Sequence, residues 1–319
     1  MTDGFTCCTP IPSALAVDVT ASGSSNTNGV WEPGETVAVE PAYFNGDSSA
    51  LPLSGTASNL IGPAGAAYSL TDTAASYGSI AAGGQSSCAA GSNCYAVLVD
   101  DPARPVQHWD ATFDETLSTG GPKSWTLHLG ESFSDVLPSN IFYKFIETIF
   151  HKGVTGGCGG VNYCPVGNVT RAQMAVFLLK GSLGSGYAPP ACTGAVFGDV
   201  PCTGGIFDAW IEDLAARGIT GGCGSGNFCP AGNVTRAQMA VFLLKASQSF
   251  SYTPPACTGA VFGDVPCTGG IFDPWIEDLA ARGVTGGCGG GNYCPGNPNT
   301  RGQMAVFLTK AFGLLLYGP

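Results

Sequence analysis

Residues 218–223 of this 319-residue chain read Gly-Ile-Thr-Gly-Gly-Cys, and the pattern occurs twice more. Gly-Val-Thr-Gly-Gly-Cys stands at 153–158 and again at 283–288, so the motif recurs every 65 residues (218 − 153 and 283 − 218). A fixed period is the sequence signature of a protein built from copies of one supersecondary unit. The repeated motif therefore decides how the second half of the chain is organised.

Each repeat predicts two helices, one before and one after this motif. Before it, apolar residues stand at i, i+3, i+4 and i+7 across 207–214, and Gly218 follows where a helix cap is expected. After it, Thr235-Arg236-Ala237-Gln238 opens a second helix, because Thr followed three residues later by Gln is a capping box. Since one such pair cannot bury its apolar faces alone, each unit needs a neighbour.

These repeated motifs resemble the S-layer homology domain over residues 131–319. Each unit opens with Phe-x-Asp-Val and starts its second helix with Thr-Arg-x-Gln, where the family has Glu in place of Gln; cysteine-bracketed glycines replace the family's Gly-Asp-Gly-Thr loop. The resemblance implies three tandem repeats that form an all-α pseudo-threefold bundle. The openings are Phe133-Ser-Asp135-Val, Phe197-Gly-Asp199-Val and Phe262-Gly-Asp264-Val, and the second helices start at Thr170-Arg171, Thr235-Arg236 and Thr300-Arg301.

The same resemblance implies a site for an anionic cell-wall glycan. In the family, the arginine of each second helix lines a groove between repeats, with the opening aspartate and a helix tryptophan nearby. Arginine suits this task because its planar guanidinium pairs with carboxylates through two hydrogen bonds. The alternative is an internal salt bridge from each arginine to an aspartate. The residues implied are Asp135, Asp199, Asp264, Trp210, Trp275, Arg171, Arg236 and Arg301.

Fourteen cysteines predict a secreted protein, because a reducing cytosol would leave them as free thiols. Twelve fall into C-x5-C or C-x9-C pairs, neither of which is the C-x2-C spacing of a zinc site. We expect six local disulfides, and the glycine-rich C-x5-C loops of the repeats are expected to turn tightly enough to bring their sulfurs together. Cys7 and Cys8 are left over. Because adjacent cysteines bond each other only with strain, a partner elsewhere, in the same chain or in another chain, is an open alternative. The expected pairs are Cys88/Cys94, Cys158/Cys164, Cys192/Cys202, Cys223/Cys229, Cys257/Cys267 and Cys288/Cys294.

The first part of the chain differs from the second in charge and in periodicity. Residues 1–130 hold 2 basic and 12 acidic side chains, whereas 131–319 hold 10 and 11. Apolar residues alternate with polar ones along short runs separated by Gly, Asn, Ser and Asp, which predicts an antiparallel β-sandwich. The stretches 28–36 and 77–84 resemble an immunoglobulin-like module of secreted bacterial proteins, which implies a spacer or adhesion role.

We therefore expect a multidomain chain with five segments. An N-terminal extension is followed by the immunoglobulin-like β-sandwich and by the three S-layer-homology-like repeats. The segments are 1–13, 14–130, 131–190, 191–255 and 256–319. Residues 1–4 lack the basic start and apolar core of a secretion signal, so we expect the numbering to begin near a processed N-terminus.

One stretch of the sandwich has the spacing of a calcium loop. Ser24-x-Asn26-x-Asn28-Gly29-x5-Glu35 places oxygen-bearing side chains at alternate positions and a carboxylate at position twelve. Position one is Ser instead of Asp, which removes a charged ligand. The alternative is a polar hairpin turn, in which Asn and Gly tolerate positive φ. Calcium is the one cofactor that the sequence indicates.

Several function classes are excluded. Net charge is −11 with no basic cluster, which argues against nucleic acid, and no apolar run approaches the ~18 residues of a membrane span. We expect no enzyme, because the chain has no Gly-x-Ser-x-Gly elbow and no His-Glu-x-x-His, and its three histidines lie at no metal or relay spacing.

Two hypotheses remain. The first is an extracellular bacterial structural protein that self-assembles into a filament, sheath or surface lattice. Its copies would be joined through the extension and the β domain, with Phe5, Cys7, Cys8 and Ile11 at a neighbour's sheet edge. The alternative is a monomeric cell-surface anchor or adhesin that binds cell-wall glycan through the repeats.

Overall fold

The computed structural model describes residues 10–249 and 251–319. The chain divides into two compact units, of which the first runs to Ser139 and also takes in Leu315–Pro319, and the second is Asn140–Leu314. This division is coarser than the five predicted segments, which stay a prediction. Among the described helices, none combines the length and the apolar character that crossing a membrane requires.

From residue 10 onward, where its description starts, the first unit contains nine strands in two antiparallel sheets. One sheet has the order β1–β2–β7–β4 with β6 paired to β2, and the other has the order β5–β3–β8–β9. The prediction of an antiparallel β structure is confirmed, and the immunoglobulin-like relationship stays a prediction. The strands are β1 (Ile11–Val17), β2 (Thr36–Phe44), β3 (Leu51–Ile61), β4 (Tyr68–Asp72), β5 (Ala74–Ile80), β6 (Gln85–Ser87), β7 (Tyr95–Val99), β8 (Asp110–Leu117) and β9 (Lys123–His128).

A fully buried carboxylate, that of Glu115 on β8, lies in the core between these sheets. It accepts hydrogen bonds from Tyr43 at 2.5 Å, Tyr95 at 2.7 Å and the indole N–H of Trp125 at 2.6 Å, and another from Tyr77. The four donors come from both sheets. Burial, followed by the nearby carboxylate, raises the pKa of all three tyrosines, so their hydroxyls remain donors.

The described part of the second unit contains six helices of 9 to 13 residues, arranged along the chain as three pairs. Each second helix starts with the predicted capping box, in which Thr and Gln bond each other's backbone N–H. The helices are α1 (Tyr143–His151), α2 (Arg171–Leu183), α3 (Asp208–Ala216), α4 (Arg236–Ser247), α5 (Asp273–Ala281) and α6 (Arg301–Ala311).

Removing one of these caps tests how far local bonds stabilise the unit. Thr235→Ala is expected to lower the free energy of unfolding by about 1 kcal/mol, because the N–H of Gln238 loses its acceptor. Urea unfolding followed by far-UV circular dichroism measures the change. Thr203→Ala, at an exposed turn position, is the matched control. Equal stability of the two variants would contradict the role of the cap.

The predicted fold class is wrong for the second part of the chain. An all-α pseudo-threefold bundle is expected over 131–319, whereas the chain as a whole is mixed and residues 131–139 and 315–319 belong to the β unit. Gly- and Pro-rich loops, which disfavour helix, occupy much of the remainder. Isolated antiparallel bridges also join the segments that precede the second helices. These bridges are Asn168↔Thr300, Thr170↔Asn233 and Thr235↔Pro298.

The last residues of the chain pack in the β unit. Tyr317 is buried, and its hydroxyl donates to the carbonyl oxygen of His128 at 2.8 Å while accepting from the N–H of Trp31 at 2.9 Å. The apolar run that follows α6 therefore does not extend that helix. The partners of Tyr317 lie 189 and 286 residues away in sequence, so no local pattern predicts them.

Candidate functional site

An arginine is the first residue of each second helix, directly after the capping threonine. In every case its Nε donates to a backbone carbonyl oxygen 2.7 Å away, in the loop of another helix pair. The three donor–acceptor pairs are Arg171–Phe228, Arg236–Tyr293 and Arg301–Tyr163. The arginines therefore link the helix pairs through carbonyl groups.

Aromatic rings enclose each guanidinium. The Arg236 guanidinium carbon lies 4.6 Å from the ring centre of Tyr293 and 5.5 Å from that of Phe307, and Arg236 is only 3% exposed. Arg171 lies in the same way over Phe228 and Phe242. Burial lowers the pKa of both arginines, although nearby aspartates partly oppose the shift. Arginine retains its charge under such shifts because its ordinary pKa is so high.

The aspartates that open the second and third repeats do not form the predicted alternative, a salt bridge to arginine. Asp199 accepts the backbone N–H groups of Phe228 and Cys229, each at 2.7 Å. Burial alone would raise the pKa of Asp199, but these amides and the charge of Arg171 hold it below its usual value. Asp264 accepts the backbone N–H groups of Tyr293 and Cys294 in the same way. The aspartates thus fix the loop that supports the arginine, and Asp135 belongs to the first unit.

The two tryptophans of the predicted site lie elsewhere on the helix pairs. Trp210 is half-buried, with its ring edge-to-face against Tyr187 at 6.2 Å and the ammonium of Lys180 5.9 Å from its centre. Trp275 packs on Tyr252 in the same geometry. Neither tryptophan lines the groove that contains Arg236.

That groove has a volume of about 270 Å³ and lies between the start of α4, the loop 284–288 and α6. Arg236, Gln303 and Lys310 supply polar groups to it, and Phe307 belongs to its apolar wall. Nη2 of Arg236 is buried and has no hydrogen-bond partner among the described residues. The groove therefore combines two cationic side chains with an apolar wall, which suits a small anionic group on an otherwise uncharged ligand.

Sequence reasoning missed the lysines near the ends of the second helices. Each donates to the carbonyl oxygen of the glycine that follows the first helix of its own pair, at 3.0 to 3.5 Å. The pairs are Lys180–Gly153, Lys245–Gly218 and Lys310–Gly283. The signal was present, because these lysines recur at the period of 65 residues (245 − 180 and 310 − 245).

All six predicted disulfides are present, which confirms the disulfide-rich character of the chain. The C-x5-C bonds of the second unit close the glycine-rich loops between the two helices of a pair. The bonds are Cys88–Cys94, Cys158–Cys164, Cys192–Cys202, Cys223–Cys229, Cys257–Cys267 and Cys288–Cys294.

The turn in these C-x5-C loops involves its last residue, a cysteine, as well as the glycines. The glycines between the cysteines are expected to make the turn, yet Cys164 itself has a φ of 60°, in the left-handed region that non-glycine residues seldom adopt. Cys229 and Cys294 take the same conformation at the equivalent positions. A second turn follows directly, in which the carbonyl oxygen of Cys164 accepts the N–H of Gly167 at 3.0 Å. Cys164, which is half-buried, is therefore part of the turn as well as of the crosslink.

The C-x9-C loops precede α3 and α5 and contain a second feature that the sequence analysis missed. There the carboxylates of Glu212 and Glu277 accept backbone N–H groups from Thr193 and Thr258, both at 2.6 Å. These two glutamates therefore attach each crosslinked loop to the helix that follows it.

The predicted calcium residues are brought together only in part. The side-chain amides of Asn26 and Asn28 donate to Glu32 at 3.0 and 2.7 Å, and the backbone N–H of Asn26 donates to Glu35 at 3.2 Å. The hydroxyl of Ser24 makes other contacts: it donates to the carbonyl oxygen of Gly34 and accepts the N–H of Thr36.

Three buried carboxylates could hold a cation in this stretch. Asp18, Glu32 and Glu35 each offer an oxygen, and these oxygens lie within 4.8 Å of one another. Oxygen donors of this kind are those that calcium prefers. Asp18 follows β1 and was missed, because the loop pattern considers only consecutive alternate positions.

Calcium binding here stays a prediction with a direct test. Calcium at about ten times its dissociation constant should raise the free energy of unfolding by about 1.4 kcal/mol, and a chelator should reverse the gain. Thermal melts of Glu35→Gln should show no response to calcium, whereas the exposed control Asp101→Asn should respond like the unaltered chain. A calcium-independent melt of the unaltered chain would favour the polar-turn alternative.

The residues predicted to join neighbouring subunits lie mostly outside the described residues. Phe5, Cys7 and Cys8 fall in residues 1–9, which the structure does not describe. Ile11 is the first residue of β1, where it pairs with Phe44 of the same chain. Assembly through this segment stays a prediction.

Two comparisons with known proteins found similarities. Residues 208–240, which contain α3, the motif at 218–223 and Arg236, match the S-layer homology domain. A stretch of 116 residues, 36% of this chain, is 33% identical to an endoglucanase of Bacillus sp. (strain KSM-635). This chain spans only 11% of the length of that relative. An S-layer homology domain indicates a protein of the cell surface.

Proposed function

We propose that this chain is a cell-surface anchor that binds an anionic cell-wall glycan through the groove lined by Arg236. The observation that carries the proposal is the Arg236 guanidinium, which is buried, lines the groove and leaves Nη2 without a partner among the described residues. A buried donor without an acceptor costs about 1–3 kcal/mol, and an anionic ligand would offset this cost. The S-layer homology match at 208–240 supports the same function.

The groove favours a carboxylate-bearing sugar over a simple ion. Arg236 is held by Tyr293 at Nε, so its remaining N–H groups are already oriented when a ligand arrives. The ammonium of Lys310 adds a second cation, and Phe307 offers an apolar surface to a sugar ring. Arg171 likewise donates Nε to a backbone carbonyl oxygen and lies over an aromatic ring, and its buried Nη2 has no partner in the part of the chain that the structure describes. A second equivalent site would strengthen attachment through multivalency.

The proposal also covers how the helix pairs and the β unit are used along the chain. The recurrent motifs, capping boxes and arginine contacts support three S-layer-homology-like helix pairs, of which one matches the family. The two antiparallel sheets support an immunoglobulin-like spacer or display module without catalysis. Self-assembly into a filament, sheath or lattice with copies of the same chain stays a prediction, because no observation favours it over anchoring.

Cosedimentation with purified cell walls tests the proposal. The double variant Arg171→Met/Arg236→Met retains an apolar stem under the aromatic rings but removes both guanidinium groups. We expect binding at least about tenfold weaker, since a hydrogen bond to a charged group contributes about 1.5–3 kcal/mol. Walls stripped of their attached glycan should bind none of the proteins.

Arg217→Met/Arg282→Met is the matched control. These arginines carry the same charge and also lie over tyrosine rings, but they pair with Asp213 and Asp278 and lie outside the groove of Arg236. The control should bind walls like the unaltered chain. Equal binding by both double variants, with circular dichroism showing that both are folded, would overturn the proposal.

A further inference from the structure

The groove is bordered by a disulfide as well as by charged side chains. Cys288 lines the groove, is exposed to solvent and is bonded to Cys294. The bond closes a loop that begins with Gly289, Gly290 and Gly291. All three glycines have positive φ, and a Cβ added to any of them would contact nothing within 4 Å. Backbone hydrogen bonds from Asn292 to Gly289 and from Gly263 to Gly291 also hold this loop, so the crosslink acts together with them on a segment whose glycines have the greatest backbone freedom.

The far end of the same loop holds the arginine. Tyr293 accepts Nε of Arg236 with its carbonyl oxygen, places its ring 4.6 Å from the guanidinium, and donates its hydroxyl to the carbonyl oxygen of Arg236 at 2.8 Å. Tyr293 also packs against the ring of Phe262, and two restraints act on its backbone. One is Asp264, which accepts the N–H groups of Tyr293 and Cys294, and the other is the disulfide at Cys294.

The preceding helix pair repeats this chain of contacts with different residues. Cys223 is exposed and bonded to Cys229, and Phe228 directly before Cys229 holds Arg171 by its carbonyl oxygen and ring. Asp199 accepts the two backbone N–H groups. The recurrence indicates that crosslink, aspartate, aromatic residue and arginine act as one device.

We infer that the Cys223–Cys229 and Cys288–Cys294 disulfides position the glycan-binding arginines, so that reduction of these bonds releases the chain from the wall while the helices stay folded. The inference rests on the proposed function. The step is thiol–disulfide exchange with a small dithiol: two thiolate attacks convert the disulfide into two cysteine thiols, and the reductant becomes a cyclic disulfide. The second helix of each pair has its own capping box, and the buried core of the helices does not include the cysteines of these two bonds.

Exposure differs among the disulfides in a way that favours selective reduction. Cys223 and Cys288 are exposed, whereas Cys88 in the β unit is fully buried. Access of the attacking thiolate governs the rate of exchange. The C-x9-C bond Cys192–Cys202 offers a control within the second unit, because both of its sulfurs lie outside the groove of Arg236 and both residues are half-buried.

The test compares two quadruple variants of the full chain in wall cosedimentation. The groove variant carries Cys223→Ser, Cys229→Ser, Cys288→Ser and Cys294→Ser, and the control variant carries Cys192→Ser, Cys202→Ser, Cys257→Ser and Cys267→Ser. The groove variant should bind at least about tenfold more weakly, equivalent to about 1.4 kcal/mol, with unchanged far-UV circular dichroism. The control should bind like the unaltered chain.

Two further measurements distinguish failure of this inference from failure of the proposed function. Dithiothreitol should reduce wall binding of the unaltered chain reversibly, and the amides of Tyr293 and Cys294 should exchange hydrogen faster in the groove variant whether or not a wall is present. Absence of binding by the oxidised, unaltered chain would overturn the proposed function. Binding by the unaltered chain and equally by both quadruple variants would overturn this inference alone. Loss of helical signal in both the groove variant and the reduced chain would also overturn it.

Discussion

Replacement of Glu115 by alanine is expected to destabilise the β unit by about 4 kcal/mol, the largest effect of any single substitution considered. The change removes the common acceptor of three tyrosine hydroxyls and one indole N–H, all in the buried core. Each unsatisfied buried donor costs about 1–3 kcal/mol, and the cavity adds to this loss. Urea unfolding followed by tryptophan fluorescence measures the effect, since Trp31, Trp109 and Trp125 are buried in this unit.

Two further variants test whether the loss of stability comes from removing the buried acceptor of Glu115. Glu115→Gln keeps one acceptor oxygen but directs an NH₂ group at the remaining donors, so an intermediate loss is expected. Thr116→Ala, at the next and exposed position of β8, should change stability by less than about 0.5 kcal/mol. An alanine variant as stable as the Thr116→Ala control would show that the four donors find other partners.

Replacement of Asn299 by valine is expected to stabilise the second unit by about 2 kcal/mol. Asn299 is fully buried, and neither Oδ1 nor Nδ2 has a partner among the described residues. The positions 65 and 130 residues earlier (299 − 65 and 299 − 130) are Val234 and Val169, both fully buried. Burial of an unpaired amide costs about 1–3 kcal/mol in proteins, and valine removes this cost.

The backbone should accept this change without strain. The N–H of Asn299 donates to Val234, and its carbonyl oxygen accepts the N–H of Val169, both at 2.9 Å, and valine retains these bonds. Thermal unfolding followed by far-UV circular dichroism measures the gain, and the reciprocal variant Val234→Asn should lower stability. A lower melting temperature for Asn299→Val would mean that an internal water satisfies the amide.

Local features of the fold follow from the sequence, because the interacting residues are close along the chain. Thr235 and Gln238 are three residues apart and form the capping box that their spacing predicts. Cysteines six or ten residues apart are close enough along the chain for their spacing to predict local disulfides, and these disulfides are present. Alternating apolar residues likewise identify strands before any partner strand is known.

The candidate site was less predictable because its contacts are distant in sequence. Arg171 bonds Phe228, 57 residues away, and this carbonyl acceptor has no sequence signature. The repeated aspartate was found by its motif, yet its actual partners are two backbone N–H groups. The fold class failed for a related reason: family resemblance supplied a bundle, while glycine-rich loops and the terminal segment 315–319 produced a mixed chain.

The short span of the disulfides has a consequence for oxidative folding. In the described residues, every bonded cysteine has its partner 6 or 10 positions away, and this partner is also the nearest cysteine along the chain. Loops of about ten residues close in roughly 10–100 ns, far faster than thiol chemistry, so the correct thiol is always the most frequently encountered. A chain made from its N-terminus can therefore oxidise pair by pair as it emerges, before any helix has packed. Native pairing then needs little reshuffling by an isomerase.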